Sequence, residues 1–454
     1  MDYLENYRNI MKALPARFSE AEVDAERNAN TVIKCANGEI IETRSSNTTE
    51  LFMRVSDEKT GYAYTQDLEE EPIEVLLRGL TNSNFVQRRQ KDKLNESTVK
   101  RVEMVDDRSG RPDLESMKLA AAKLEKTVRE TDGNISSVGI EICSDTHSRN
   151  VINSNGLDVE SFMNLYSVRA TVMAEKDGDQ YDATFFQSVS DIGSLNLDRF
   201  RERIAASLRH QYNATELRSG VYTVLLDSTV VTNIMMTAWQ IFSGMKYNNG
   251  SSVLSGRLGE TIGSSALSIT DSPSHKLTGY HYEFDCEGTP SEEQRLVERG
   301  KLVGMMHNIS SAEELDSSSS GNAGRYALLS GSIPTDIIVT PKIFYVEPGE
   351  NSLEEMMEEI GEGVYITHSY DVFHSINIGS GGFSIPCRGT VIKNGKPDQN
   401  VTGLTINGRL TDLFAMVRAT GNDLYIEEFL RKSYCVGGPS LLVERLQILS
   451  LIHI

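Results

Sequence analysis

The stretch Gly220–Pro273, GVYTVLLDSTVVTNIMMTAWQIFSGMKYNNGSSVLSGRLGETIGSSALSITDSP, decides how this chain is read. It opens with a β-rich run, Val221 to Leu226, whose branched and aromatic side chains suit a pleated strand. Asp227 or Ser228 then offers a side-chain oxygen to an orphan backbone N–H and starts a helix. Val231, Ile234, Met235, Ala238, Ile241 and Phe242 recur at helical spacing and so share one face. Met236 and Trp239 widen that face, so the helix is expected to be largely buried. Gly244 is expected to end it in a left-handed turn. A Gly/Ser-rich loop follows, and then Arg257-Leu258-Gly259-Glu260.

Outward from this stretch, composition sets bounds. The 454 residues are enough for several domains, and a hydrophobic content of 39% is ample for packed cores. A formal net charge of −20 argues against a general nucleic-acid binder, which displaces counterions with a basic surface. It fits a soluble protein with acidic faces, first as a matter of solubility, with basic substrates or partners as the alternative. The five cysteines are odd in number, widely spaced and form no C-x-x-C pair, which points away from a disulfide framework and toward a reducing cytoplasm. The N-terminus carries early acids and no long apolar core, so it is not read as a secretory signal. No apolar run approaches the roughly 20 residues of a membrane span.

Toward the N-terminus, Leu4 to Leu14 makes an apolar helix face. Short alternating segments at 21–28, 39–44, 49–55 and 61–66 read as an antiparallel meander, with Asn37-Gly38 as a hairpin turn. A helix is expected from Pro72 to Leu80, and an exposed connection over 86–105. Asp113 caps a long helix to about Thr131, with Leu114, Met117, Leu119, Ala121 and Leu124 inward. A second β-rich section runs from Ile135 to Val189, turning at Asn153-Ser154-Asn155-Gly156, and Leu197 to Gln211 is a further helix. Arg218-Ser219-Gly220 is the expected boundary. The fold class is therefore α+β in two domains, antiparallel sheets with helices: an N-terminal α+β domain over 1–218 and a β-rich C-terminal domain over 219–454. In the latter, His281 to Glu287 alternates as a strand, Arg299-Gly300 and Asn394-Gly395 are hairpin turns, Ser352 to Ile360 is an acidic helix, and Thr411 to Ala419 is another helix.

The chain resembles the TldD/TldE (PmbA) family, once called modulators of DNA gyrase. The resemblance rests on Asn153-Ser154-Asn155-Gly156, the Gly220–Pro273 stretch, Phe284-Asp285-Cys286-Glu287-Gly288-Thr289, Ser320-Gly321-Asn322-Ala323, Asn394-Gly395, Gly421-Asn422-Asp423-Leu424 and Gly438-Pro439-Ser440-Leu441. Each is short; their order and spacing make the match. The resemblance implies a C-terminal metallopeptidase-like domain. TldD-type members are zinc peptidases with His-Glu-x-x-x-His on this helix. Anchored on Gly244, Gly250 and Ser255–Glu260, the first ligand position falls on Met235, the base on Met236 and the second ligand on Gln240. A thioether is a poor ligand for catalytic zinc, and methionine takes no proton from water. The resemblance therefore implies the TldE/PmbA type: a subunit with no zinc of its own, beside a zinc-bearing TldD-type partner, acting on peptide or unfolded protein. A homodimer is expected when the partner is absent.

The remaining chemistry is sparse. None of the eight histidines is followed by glutamate, and there is no phosphate loop or nucleophile elbow. His281, Glu283, Asp285 and Glu287 form an acidic strand stripe, read as a solvated face or as a cleft site for a cation or basic peptide. The family match gives Asp285 and Glu287 cleft interest. His368 and His374, six apart, fall on one side if the segment is a strand, and His307 would complete a surplus metal site. Cys435 reads as a buried thiol. Two other functions stay open: a metallopeptidase active on its own, with ligands from His281, Asp285, His368 or His374, and an interaction protein that modulates DNA gyrase without direct contact to nucleic acid.

Overall fold

The computed structural model describes residues 10, 18–57, 60–66, 93–96, 113–325, 337–429 and 434–450. The helices expected at 4–14 and 72–80 fall outside this set, apart from residue 10. Three sheets of six strands organise these residues. The first holds β1 (Glu20–Ala36), β2 (Glu39–Ser56), β3 (Thr60–Thr65), β4 (Ile135–Asn153), β5 (Asp158–Lys176) and β6 (Asp179–Val189), in the antiparallel order β3-β2-β1-β4-β5-β6. Its strands are longer than the alternating segments suggest. β1 and β2 pair along their whole lengths as one hairpin, because polar Asn28–Thr31 and Ser45–Thr48 continue the ladder where neither face is buried deeply. Asn37 and Gly38 turn it with φ of 50° and 88°, as a type I′ turn requires.

Helices α1 (Leu114–Arg129) and α2 (Leu197–Arg209) cover one face of this sheet. Asp113 and Asn196 cap them through their side chains. Met117, Ala121 and Leu124 of α1 join Phe200, Ile204 and Leu208 of α2 over Ile140, Val168 and Phe185. Leu119 does not face this core; it is 62% exposed, since it lies two residues from Met117, on another side of the helix.

From residue 220 the chain builds β7 (Gly220–Leu226), α3 (Ser228–Ala238), a 3-10 turn (Trp239–Phe242), α4 (Gly244–Asn248), β8 (Ile269–Ser272), β9 (Gln294–Glu298), β10 (Lys301–Leu302), α5 (Ile309–Glu313), β11 (Ala323–Gly324), β12 (Ile338–Val339) and β13 (Ile343–Val346). It continues with α6 (Leu353–Ile360), β14 (Gly363–Ser369), β15 (Gly382–Lys393), β16 (Lys396–Arg409), α7 (Leu410–Ala415), β17 (Val417–Thr420), β18 (Tyr425–Phe429), β19 (Tyr434–Gly438) and β20 (Leu441–Ser450). The second sheet runs β10-β9-β8-β13-β19-β18 and the third β16-β15-β14-β7-β20-β17. β16 also pairs with β20, so the third sheet closes on itself from β16 to β20 and hides the β16 edge. β11 and β12 form a small separate pair.

Helix α3 lies between these two sheets. Val231, Ile234, Met235 and Ala238 pack with Phe344 and Val436 of the second and with Val364 and Ile366 of the third. It is therefore buried on nearly all sides, as its wide apolar face implies.

Several expectations are corrected. Gly244 makes no left-handed turn; it opens α4, and a Cβ there would stand 2.2 Å from Nδ1 of His307. Close approach, not φ, requires glycine. His281 to Glu287 is not a strand: only isolated bridges, Ser274 to His281 and Phe284 to Pro290, punctuate a coil that turns at Cys286–Glu287. The helix expected over 411–419 stops at Ala415, and β17 takes the rest. Within the connection expected at 86–105, Leu94 is buried and Asn95 donates to the carbonyl of Glu287, so this part of it docks rather than lying exposed.

Candidate functional site: helix α3 and the cavity beside it

Asp227 fixes the start of α3. It accepts from the backbone N–H of Thr229 at 2.8 Å, from Arg203 of α2 at 2.9 Å and from the hydroxyl of Tyr365 at 2.5 Å. Burial pushes its pKa up, but Arg203, Thr229 and Tyr365 outweigh this and hold the carboxyl below the usual range. A helix start cross-linked to α2 and β14 leaves little freedom to the residues one turn on.

The three positions of interest then separate. Met235 is 1% exposed and belongs wholly to the core. Met236, next in line, turns toward the N-terminal sheet and lines a cavity of about 360 Å³. Gln240 lies half-buried on the 3-10 turn, past the point where the α-helix ends.

The cavity sits where the two parts of the chain meet. On its N-terminal side, Glu141, Arg169 and Phe186 stand opposite one another across β4, β5 and β6, with Cys143 and Ser167 in the next row. On the other side are Met236 and the consecutive Glu427, Glu428 and Phe429 of β18. Arg169 lies 5.5 Å from the ring centre of Phe186 and 3.7 Å from Glu427. Glu427 also accepts from the hydroxyl of Tyr425, while Glu428 accepts from Ser167 at 3.0 Å and from Tyr280. Burial, foremost, raises the pKa of Glu427; Arg169 and Tyr425 oppose it and Glu428 adds to it.

The other candidates lie elsewhere and do not converge. Asp285 is fully buried; its two oxygens accept backbone N–H groups of Glu287, Thr289 and Ala323 and pin the turn. Glu287 is equally buried. It accepts from Arg54 at 3.0 Å and from the N–H of Ile309 at 2.9 Å. The reading of these two as a solvated strand face is thus overturned. The polar/apolar alternation over 281–287 lies in a coil that Asp285 pins, so it carries no strand period. Burial raises both pKa values first and foremost.

His368 is on β14, and burial lowers its pKa to about 4. The strand ends at Ser369, Asp371 takes a left-handed conformation, and His374 stands exposed on the turn beyond, 2.6 Å from Asp371. The six-residue spacing therefore does not put the two on one strand face. His307 is buried against Gly244 and bonds to Ser311. Cys435 is buried beside Tyr280 and Ile343, and all five cysteines are buried and outside any disulfide. Among the described residues no group of three or more His, Cys, Asp or Glu side chains is arranged to hold a metal. The donors on the face of α3 that meets the cavity do not fit zinc either, since a thioether is soft and neutral.

The late motif stretches prove to be parts of one framework. Asp423 accepts from both the N–H and the hydroxyl of Ser440 at 2.8 Å. Asn322 donates to Asp271 at 2.7 Å, where burial pushes the carboxyl up to about 6 despite that bond.

The β-rich part of this α+β chain, with its helix clasped between two sheets, matches a metallopeptidase domain. The chain belongs to the PmbA/TldD metallopeptidase family: models described as PmbA/TldA metallopeptidase domain 1, central domain and C-terminal domain match residues 21–81, 108–211 and 219–450. It is 32% identical over 176 residues to a metalloprotease of Methanothermobacter thermautotrophicus, covering 38% of this chain and 37% of that protein. It is 24% identical over 314 residues to the metalloprotease PmbA of Escherichia coli O157:H7, covering 67% of this chain and 63% of that one. The aligned stretch is thus under two thirds of the length of each. The crystal structure of a candidate modulator of a DNA gyrase from Thermotoga maritima superposes with a TM-score of 0.83 at 25% identity, over 98% of this chain and all of that one. TldE from Thermococcus kodakarensis gives a TM-score of 0.83 at 19% identity, over 98% and 100% of the two chains, a likeness of fold. No helix among the described residues is long and apolar enough to cross a membrane.

Proposed function

We propose that this chain is the zinc-less, TldE/PmbA-type subunit of a zinc metallopeptidase that processes peptide or unfolded protein substrates in the cytoplasm. The observation that carries the reading is the chemistry of α3. Amide hydrolysis at neutral pH needs an activated water and a base beside it. The positions aligned with ligand, base and ligand hold Met235, Met236 and Gln240. One is locked in the core, one meets the cavity with a thioether, and one sits beyond the helix end. The framework around them is intact, from the Asp227 cap to the Asp423–Ser440 clasp. An intact scaffold without the reacting group suits a subunit that shapes a substrate chamber and leaves the metal to a TldD-type partner. Alone, such a subunit pairs with itself to cover its docking surface, and sedimentation at micromolar concentration is expected to show a dimer.

Two observations favour other readings. Relatives carry the name metalloprotease, which suits a peptidase in its own right. The Thermotoga structure carries a gyrase-modulator name, and the charge of −20 leaves room for protein contact rather than DNA contact. The test is elemental analysis and zinc titration of the purified chain. Less than stoichiometric zinc is the expected result; one tightly held zinc per chain would overturn the reading.

A further inference from the structure

The cavity beside Met236 has a lining that does more than separate two domains. Its volume, about 360 Å³, lies in the range of small-ligand pockets and it sits at a domain boundary, where such pockets concentrate. Phe186, Phe429 and Met236 give it apolar walls, while the neighbouring carboxylates of Glu427 and Glu428 both reach it from β18. Among its described lining residues Arg169 is the cation, and at 3.7 Å its contact with Glu427 is longer than a hydrogen bond. Arg169 also shows what the cavity favours: a guanidinium beside Glu427 and over the ring of Phe186. Two adjacent carboxylates in a half-dry space repel one another, and a second cation between them relieves that repulsion.

We propose that this cavity binds the cationic side chain of an extended peptide, an arginine or a lysine, with its aliphatic stem along Met236 and Phe429 and its charged end between Glu427 and Glu428. The inference rests on the substrate-holding subunit reading and gives that substrate a chemistry. An arginine fits better than a lysine, because its planar fork bonds to two carboxylates at once. Burial and the neighbouring Glu428 raise the pKa of Glu427 against the pull of Arg169 and Tyr425, which agrees with a site that gains from a second cation.

The chain carries a built-in reporter. Its single tryptophan, Trp239, stacks edge-on with Tyr434 at 5.3 Å, and Tyr434 meets Phe429 at 5.4 Å. The full chain is titrated with acetyl-Gly-Arg-Gly-amide and with the same peptide carrying neutral citrulline, by calorimetry and by Trp239 fluorescence. The arginine peptide is expected to bind at least about tenfold more tightly. Glu427→Gln and Glu428→Gln are each expected to remove that preference, whereas Glu354→Gln, on the exposed side of α6, keeps it. Met236→Arg leaves both carboxylates in place and supplies the guanidinium from α3, so a folded Met236→Arg protein is expected to lose peptide binding. Equal affinity for arginine and citrulline, no binding of either at millimolar peptide, or unchanged binding by Met236→Arg would overturn the proposal. The titration needs no partner subunit, so it fails separately from the subunit reading. A negative titration with a successful reconstitution removes only the cation site; the converse leaves the site and removes the subunit role.

Discussion

The N-terminal sheet meets the C-terminal domain through two charged regions, and they are built on opposite plans. At one, Arg54 donates to both Glu22 and Glu287 at 3.0 Å, Arg325 pairs with Asp24, and Arg149 reaches Asp24 at 3.3 Å. Arg54, Glu22 and Glu287 are almost completely buried. Burial works against the charge of Arg54, yet its two carboxylates keep it protonated. At the other, Arg169 is 44% exposed and stands off Glu427 across a cavity. The first region sets each of these charges against an opposite one in a buried cluster, although the Nε atoms of Arg54, Arg149 and Arg325 and one oxygen each of Glu22 and Asp24 make no hydrogen bond among the described residues. The second leaves room and an imperfect match. Buried, closely paired charge fixes the relative placement of the two parts; loosely paired charge beside a void is available to a ligand.

The comparison breaks most sharply at Arg54. Arg54→Met strands Glu22 and Glu287, and a loss of about 3–5 kcal/mol in denaturant unfolding is expected. Arg169→Met, on the cavity side, is expected to cost under about 1 kcal/mol. Similar losses at both sites would refute the contrast. Met235→Ala and Met236→Ala sharpen it within one helix: about 2–5 kcal/mol for the core residue, and clearly less for its neighbour, whose side chain borders a void. Gly244→Ala pushes a Cβ into the ring of His307 and is expected to cost about 1–3 kcal/mol by the same assay.

A separate effect is one of pH. Asp271 binds its proton more tightly folded, near pH 6, than unfolded, near 3.8. Its contribution is therefore fullest below about pH 4, falls as pH rises to about 6 and is flat above, a drop on the order of 2–3 kcal/mol. Asp227 runs the other way: its depressed folded pKa stabilises above the unfolded value, and that support is lost as pH falls through the folded one. Thermal melts from pH 4 to 7 of the parent and of Asp271→Asn check the first slope. An unchanged slope in the variant would assign it to other groups.

What sequence could and could not reveal follows from the range of each signal. Local signals read well. Asp113 and Ser352 cap helices, Asn37-Gly38 and Asn394-Gly395 turn hairpins with positive φ, and the apolar period over 231–242 belongs to a buried helix. Signals that depend on what a segment packs against read badly. Alternation at 281–287 mimicked a strand, because a coil pinned by Asp285 also happens to alternate polar and apolar residues. Leu119 looked inward by composition and points out by geometry. The buried pairs Arg54–Glu287 and Arg325–Asp24 join residues more than two hundred positions apart, and no local pattern marks them. The cavity was invisible for the same reason. Glu141, Arg169 and Phe186 come together only through strand register, and Glu427 and Glu428 read as ordinary acids until β18 is placed against that sheet. Of the cavity's described lining residues, Met236 alone is a site candidate in the sequence, through its alignment with the base position.

The most direct test of the central claim is reconstitution with a TldD-type zinc subunit carrying His-Glu-x-x-x-His, assayed on an unstructured peptide with and without chelator. The subunit reading expects no cleavage by this chain alone, and chelator-sensitive cleavage by the pair that exceeds that of the zinc subunit by itself. Chelator-sensitive cleavage by this chain alone, or a zinc subunit that works equally well without it, would contradict the account.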